Sequence, residues 1–185
     1  MTTGKMPEVV LGVTGSIAAY KAAELVRLLV QAQLGVSVVM TRGATQFVSK
    51  LTFQTLSRRP VAVEMFEEPE EWVPGHISLA ERAAVMVVAP CTANVIAKLA
   101  HGLADDMLTA TALACPAPLL VAPAMNVRMW DHPATQANVA TLRARGATIL
   151  EVGTGDLACG YEGRGRMAEP AAIRDAILVI LNPEP

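Results

Sequence analysis

The sequence predicts an α/β protein, a single domain in which a doubly wound, mostly parallel β-sheet lies between two layers of helices. Three observations predict it. Short apolar or β-branched runs recur along the 185 residues. Segments with helical spacing separate these runs, which gives the strand–helix alternation of a parallel sheet. The runs are also apolar on both faces, as strands covered on both sides must be. The length suits one domain, 1–185, able to bury its own core.

Taken in order, EVVLGV (8–13) reads as the first strand. It runs into VTGSIAAYK and then a helix in which Ala18, Ala22, Leu25, Val26 and Leu29 share a face, while Lys21, Glu24 and Arg27 mark the solvated side. VSVVMT (36–41) completes a βαβ unit with a right-handed crossover. HISLAERAA begins a further helix at His76, ahead of the strand VMVVAP (85–90) and the helix ANVIAKLAHGL. PLLVAP (118–123) leads into PAMNVRMW, and ATILEV (147–152) is the last core strand. Residues 151–170 are rich in glycine and lack apolar periodicity, so a long mobile loop is expected; loops of that length in compact domains usually serve function. Pro170 suits the first turn of a closing helix through Leu181.

Composition narrows the function. Hydrophobic residues make up 52% and charged residues 17%, yet no eighteen-residue stretch lacks a polar or glycine interruption, so no membrane partner is expected. The apolar excess points to self-association, which hides surface that would otherwise aggregate. A net charge of −2 without a basic block argues against nucleic acid. The N-terminus lacks a secretory signal pattern, so a cytoplasmic location is expected. Cys91, Cys115 and Cys159 have neither CxxC nor Cys/His spacing, so no disulfide framework and no metal site are expected.

Ligands of such sheets bind outside the carboxyl ends of the strands, which directs attention to three loops. In VTGSIAAYK, free N–H groups, a hydroxyl and a helix dipole converge around Gly15 and Ser16, as a phosphate requires; a plain tight turn and N-cap is the alternative. The second close-approach glycine of GxGxxG is missing, and Thr41 and Arg42 stand where a ribose-binding acid belongs, which disfavours NAD. Thr92, Ala93 and Asn94 open the next helix in the same manner, again as an anion site or a cap. Cys91 reads as a small buried side chain and Cys115 as structural. His101 and His132 lie at helix ends. His76 either caps its helix or presents its ring to a ligand. Cys159, among glycines and close to Arg164 and Arg166, is either a spare thiol or one able to ionise and give up a proton.

Together, GSIAAYK, His76, TAN, PAMNVRMW and ACGYEGRGRM resemble one family over nearly the whole chain: the homo-oligomeric flavin-containing cysteine decarboxylases, with a Rossmann- or flavodoxin-like three-layer sandwich. The resemblance implies FMN held at a subunit contact in trimers, sometimes gathered into dodecamers. It implies that Gly15, Ser16, Ile17, Thr41, Thr92, Asn94, Ala124 and Met125 bind the cofactor. His76 would be the catalytic base, Asn126 would hold the substrate carboxylate, and Met129, Ala158 and Cys159 would line the substrate site. Residues 151–169 would form the flap, and the Met129 thioether and Trp130 indole would keep the pocket dry.

The implied reaction is oxidative decarboxylation of a C-terminal cysteine. Two electrons leave the CH2–SH group, the C=S so formed accepts the electron pair of the breaking C–C bond, and an enethiol results. In coenzyme A synthesis that enethiol is reduced, with Cys159 supplying the proton. The expected substrate is therefore 4′-phosphopantothenoylcysteine; a peptide ending in cysteine is the alternative, and a flavin-binding regulatory subunit a further one. Many relatives carry an acid at the position of Ala84 and a basic or aromatic residue near Glu81 or Arg82, so the helix after His76 departs from the pattern. With the sequence ending at Pro185, a protein without the synthetase domain often fused behind such decarboxylases is expected.

Overall fold

The structure, a computed structural model, describes residues 6–66, 74–156 and 162–182. Six strands form one parallel sheet: β1 (Glu8–Val13), β2 (Gly35–Met40), β3 (Val61–Ala62), β4 (Val85–Cys91), β5 (Leu119–Pro123) and β6 (Thr148–Ile149). Their order is β3-β2-β1-β4-β5-β6. The chain winds outward from β1, then crosses back to β4 and winds the other way, so the sheet reverses direction between those two strands. Connections after β1 and β4 leave toward opposite faces there, which opens a crevice at the carboxyl ends.

The helical layers follow from the two-residue period of the strands. Val9, Leu11 and Val13 of β1 face one layer, where α1 (Ala19–Gln31), α2 (Lys50–Ser57) and α8 (Pro170–Leu181) bring Leu25, Leu29, Phe53, Ile173 and Ile177. Val10 faces the other, where α3 (Gly75–Arg82), α4 (Ala93–His101), α5 (Met107–Ala114) and α7 (Pro133–Ala144) bring Leu79, Ile96, Leu108 and Leu142. The predicted doubly wound three-layer sandwich is therefore present. The buried stripe of α1 begins at Ala19 rather than Ala18. Lys21 is not on a freely solvated face: only 12% of its side chain is exposed, and its Nζ lies 2.7 Å from Glu169 Oε1.

At the amino ends of the strands, away from the crevice, Glu8 is buried at the start of β1, where Ser37 Oγ donates to it at 2.6 Å and Arg59 pairs with it at 2.8 Å. Burial alone would raise its carboxyl, but the hydrogen bonds from Ser37 and Arg59 outweigh that and hold it below the usual carboxylate range. Arg82, at the end of α3, adds a contact at 3.7 Å.

The expected structureless segment 151–170 is corrected. It contains an antiparallel pair, β7 (Gly153–Asp156) and β8 (Glu162–Arg166), ahead of α8. A short helix, α6 (Val127–Trp130), follows β5. No described helix is long and apolar enough to cross a membrane.

Candidate active site

The loop after β1 folds back on itself before α1 begins. Ser16 N–H donates to Thr14 O at 2.8 Å, and Ala18 N–H donates to Ser16 Oγ at 3.2 Å. The helix thus starts at Ala19, two residues later than a cap at Ser16 would give. The N–H groups of Gly15 and Ile17 reach no acceptor among the described residues. Gly15 eases a close approach: a Cβ there would lie 3.0 Å from the carbonyl carbon of Gly43, crowding the backbone contact between the loops after β1 and β2. That contact places Thr41 beside Gly15.

The loop after β4 supplies a second donor set. Thr92 caps α4, its Oγ1 accepting from Val95 N–H at 3.4 Å, while the N–H groups of Ala93 and Asn94 find no acceptor among the described residues. Two adjoining cavities, of about 470 and 650 Å³, sit on these loops and share Gly15, Thr92 and Met129 in their walls. Ser16, Ile17, Ala124 and Met125 line the first, and Thr41 and Asn94 the second. All eight residues implicated in cofactor binding are therefore brought together.

The cations of the second cavity already carry counter-ions. Arg42 makes a bidentate pair with Glu64 at 2.8 and 2.6 Å, which raises the guanidinium and lowers the carboxyl. Lys98 lies 2.6 Å from Asp105 and 3.0 Å from Asp106, and its hydrogen bond to Asp105 raises its ammonium. An anion placed here would therefore meet N–H groups and hydroxyls. Cys91 is wholly buried, and burial pushes its thiol far up, so it is no nucleophile.

Asn126 N-caps α6, its Oδ1 accepting from Arg128 N–H at 2.9 Å, and it lines the first cavity. Met129 stands beside it, half exposed. Trp130 corrects an expectation. Its side chain is 4% exposed and packs in the core with Val139 and Leu142, so it holds α6 down rather than drying the pocket. The hairpin closes the site from the other side. Met125 N–H donates to Gly165 O at 3.0 Å, and Gly165, Arg166 and Met167 line the first cavity.

Ala158 and Cys159 lie outside the described residues. His76 is the second residue of α3, behind Pro74 at the N-cap, and does not cap the helix. It is half-buried and lines neither cavity of its own chain. Thr14, Lys21, Arg42 and Glu64 are wall residues that sequence reasoning missed as a group. Only the Thr41–Arg42 dipeptide, standing where an acid was sought, pointed toward them.

Similarity to known proteins accords with this geometry. The chain is 53% identical over 165 residues to the coenzyme A biosynthesis bifunctional protein CoaBC of Bacillus subtilis (strain 168), covering 89% of this chain and 41% of that protein. It is 47% identical over 175 residues to the CoaBC protein of Mycobacterium tuberculosis (strain H37Rv), covering 95% of this chain and 41% of the relative. The chain thus spans about two fifths of the length of the curated relatives it matches. Among solved structures, a mutant PPC decarboxylase complexed with pantothenoylaminoethenethiol superposes with a TM-score of 0.84 at 32% identity, covering 95% of this chain and 98% of that one. The FMN-dependent cysteine decarboxylase SpaF gives 0.81 at 30% identity, covering 94% and 97%. A sequence model described as Flavoprotein matches residues 2–182, and with that breadth of likeness the chain belongs to the flavoprotein family.

Proposed function

We propose that this chain binds FMN and catalyses, in the cytoplasm, the oxidative decarboxylation of 4′-phosphopantothenoylcysteine to 4′-phosphopantetheine, a step of coenzyme A biosynthesis. The protein's own residues fit the cofactor: Gly15, Ile17, Ala93 and Asn94 offer N–H groups that meet no acceptor among the described residues, beside the hydroxyls of Ser16, Thr41 and Thr92. Bound there, FMN supplies the two-electron chemistry that makes loss of the carboxylate feasible. The observation that carries the reading is Asn126, which is held by its own helix cap in the wall of the cavity that adjoins those donors. Its Nδ2 holds the substrate carboxylate until the C–C bond breaks.

His76 takes the substrate proton in this reading, and Cys159, on the flap of residues 151–169, returns one to the product. Because His76 lines neither cavity of its own chain, it acts on a neighbouring subunit's site, in a trimer or a dodecamer built from trimers. Exposed apolar side chains at the first cavity, Ile17, Tyr20 and Met129, support such a contact. A peptide ending in cysteine is the second reading, favoured by the likeness to the cysteine decarboxylase SpaF. Flavin released on denaturation, followed by product mass with the phosphopantothenoyl and peptide thiols, tests cofactor and substrate together. Active assemblies formed by mixing the inactive variants His76→Asn and Asn126→Asp test the shared site; no recovered activity refutes it.

A further inference from the structure

The loops that form the crevice are joined edge to edge by hydrogen bonds. Thr41 N–H donates to Val13 O at 3.0 Å, Ala124 N–H to Cys91 O at 2.9 Å, and Met125 N–H to Gly165 O at 3.0 Å. Each of these is a backbone bond. Between the loops after β1 and β4, a side chain makes the connection. Thr14 Oγ1 donates to Pro90 O at 2.8 Å and accepts from Thr92 N–H at 3.1 Å. The sheet explains why. The β1–β4 pairing ends at Gly12 and Val88, and the next strand pair shifts register between Val88 and Cys91, so the backbone ladder stops short of the crevice. Thr14 is wholly buried, and its single donor is committed to Pro90. The hydroxyl therefore holds protein rather than ligand.

We infer that Thr14 is a positioning residue, a hydroxyl latch that sets the spacing between the two donor loops flanking the switch point and thereby creates the preference for a phosphate-bearing flavin over the same flavin without phosphate. The inference rests on the FMN reading above. Gly15 and Ile17 on one side, and Ala93 and Asn94 on the other, belong to loops that the sheet itself does not hold together. Two sets of N–H groups share one phosphate only if their separation is kept, and the accepted bond from Thr92 N–H fixes the residue from which α4 starts. Valine has the shape of threonine but neither donates nor accepts, so Thr14→Val leaves Pro90 O and Thr92 N–H without their partner. Thr14→Ser keeps both bonds.

Titration of FMN and of riboflavin, followed by quenching of flavin fluorescence, tests the latch. Thr14→Val is expected to weaken FMN about 10-fold or more and riboflavin by about 2-fold or less, while Thr14→Ser stays within about 2-fold of the wild type for both. The ratio of the two affinities is the diagnostic, because a merely structural role lowers both ligands together. Equal losses for FMN and riboflavin, or no loss of FMN, overturn the inference. If Thr14→Val does not fold, Thr14→Ala removes the same hydroxyl with less crowding, and the same ratio decides. A wild-type protein that takes up neither flavin overturns the functional reading and the latch with it; wild-type and Thr14→Val proteins that bind FMN equally overturn the latch alone.

Discussion

Gly165 connects the hairpin to the loop after β5, and replacing it with alanine has a magnitude that follows from the structure. Its φ is +133°, a region that L residues avoid, and an added Cβ would press on the carbonyl oxygen of Met125. The backbone strain costs about 1–3 kcal/mol, and loss of the bond between Met125 N–H and Gly165 O adds about 1 kcal/mol. A total of about 3 kcal/mol far exceeds what a two-stranded hairpin outside the main sheet can store, so β8 lifts from residues 125–127 while the domain stays folded. At about 1.4 kcal/mol per tenfold, the docked state, and with it kcat/KM, falls roughly 100-fold. Gly102→Ala is the control. Its φ is +69° with no atom near the added Cβ, so it strains only the end of α4, costing about 1–2 kcal/mol and roughly 2–8 °C of Tm with kcat/KM unchanged. Steady-state decarboxylation and thermal melts of both variants provide the test. A Gly165→Ala enzyme within about threefold of wild-type kcat/KM would refute the coupling between hairpin and Asn126.

Asn126→Asp keeps the α6 cap, since a carboxylate oxygen still accepts from Arg128 N–H, but replaces the donor with a charge; a loss of about 100-fold or more in kcat/KM with an unchanged melting temperature is expected from kinetics and thermal melts. Glu8→Gln weakens the cluster with Ser37 and Arg59 by about 1–3 kcal/mol at neutral pH, read as a lower denaturant midpoint. Because the folded carboxyl is held below its unfolded value of about 4.3, this stabilisation is present above that value and fades as the pH falls through the folded one, so wild type and variant converge in acid. Cys159→Ser should accumulate an enethiol lighter by one H2 than the saturated thiol, detected by mass spectrometry; an unchanged product removes the proton-donor role.

Much of the architecture was legible because valine-rich strands such as EVVLGV and VMVVAP are buried on both faces, and nothing but a covered parallel sheet suits them. β3 escaped notice because two residues, Val61 and Ala62, carry no period. β8 was hidden by its composition: EGRGR alternates glycine with charge, and its inward positions are glycines because Met125 and Val127 lie against them. Gly15 and Thr92 were legible from their place in strand-end loops, whereas Asn126 was singled out through the family resemblance. Thr14 was not, since a buried threonine ending a strand looks like any β-branched core residue until its two loop partners are known. The place of Trp130 depended on how α6 turns, which four residues cannot announce. His76 was singled out from its position at a helix start, and one chain alone does not bring it to the cavities.

The most direct measurement is the mass of the product formed when the flavin-loaded protein is given 4′-phosphopantothenoylcysteine. The account predicts loss of carbon dioxide alone, leaving the saturated thiol 4′-phosphopantetheine. Unaltered substrate, in a preparation that has taken up FMN, would contradict it.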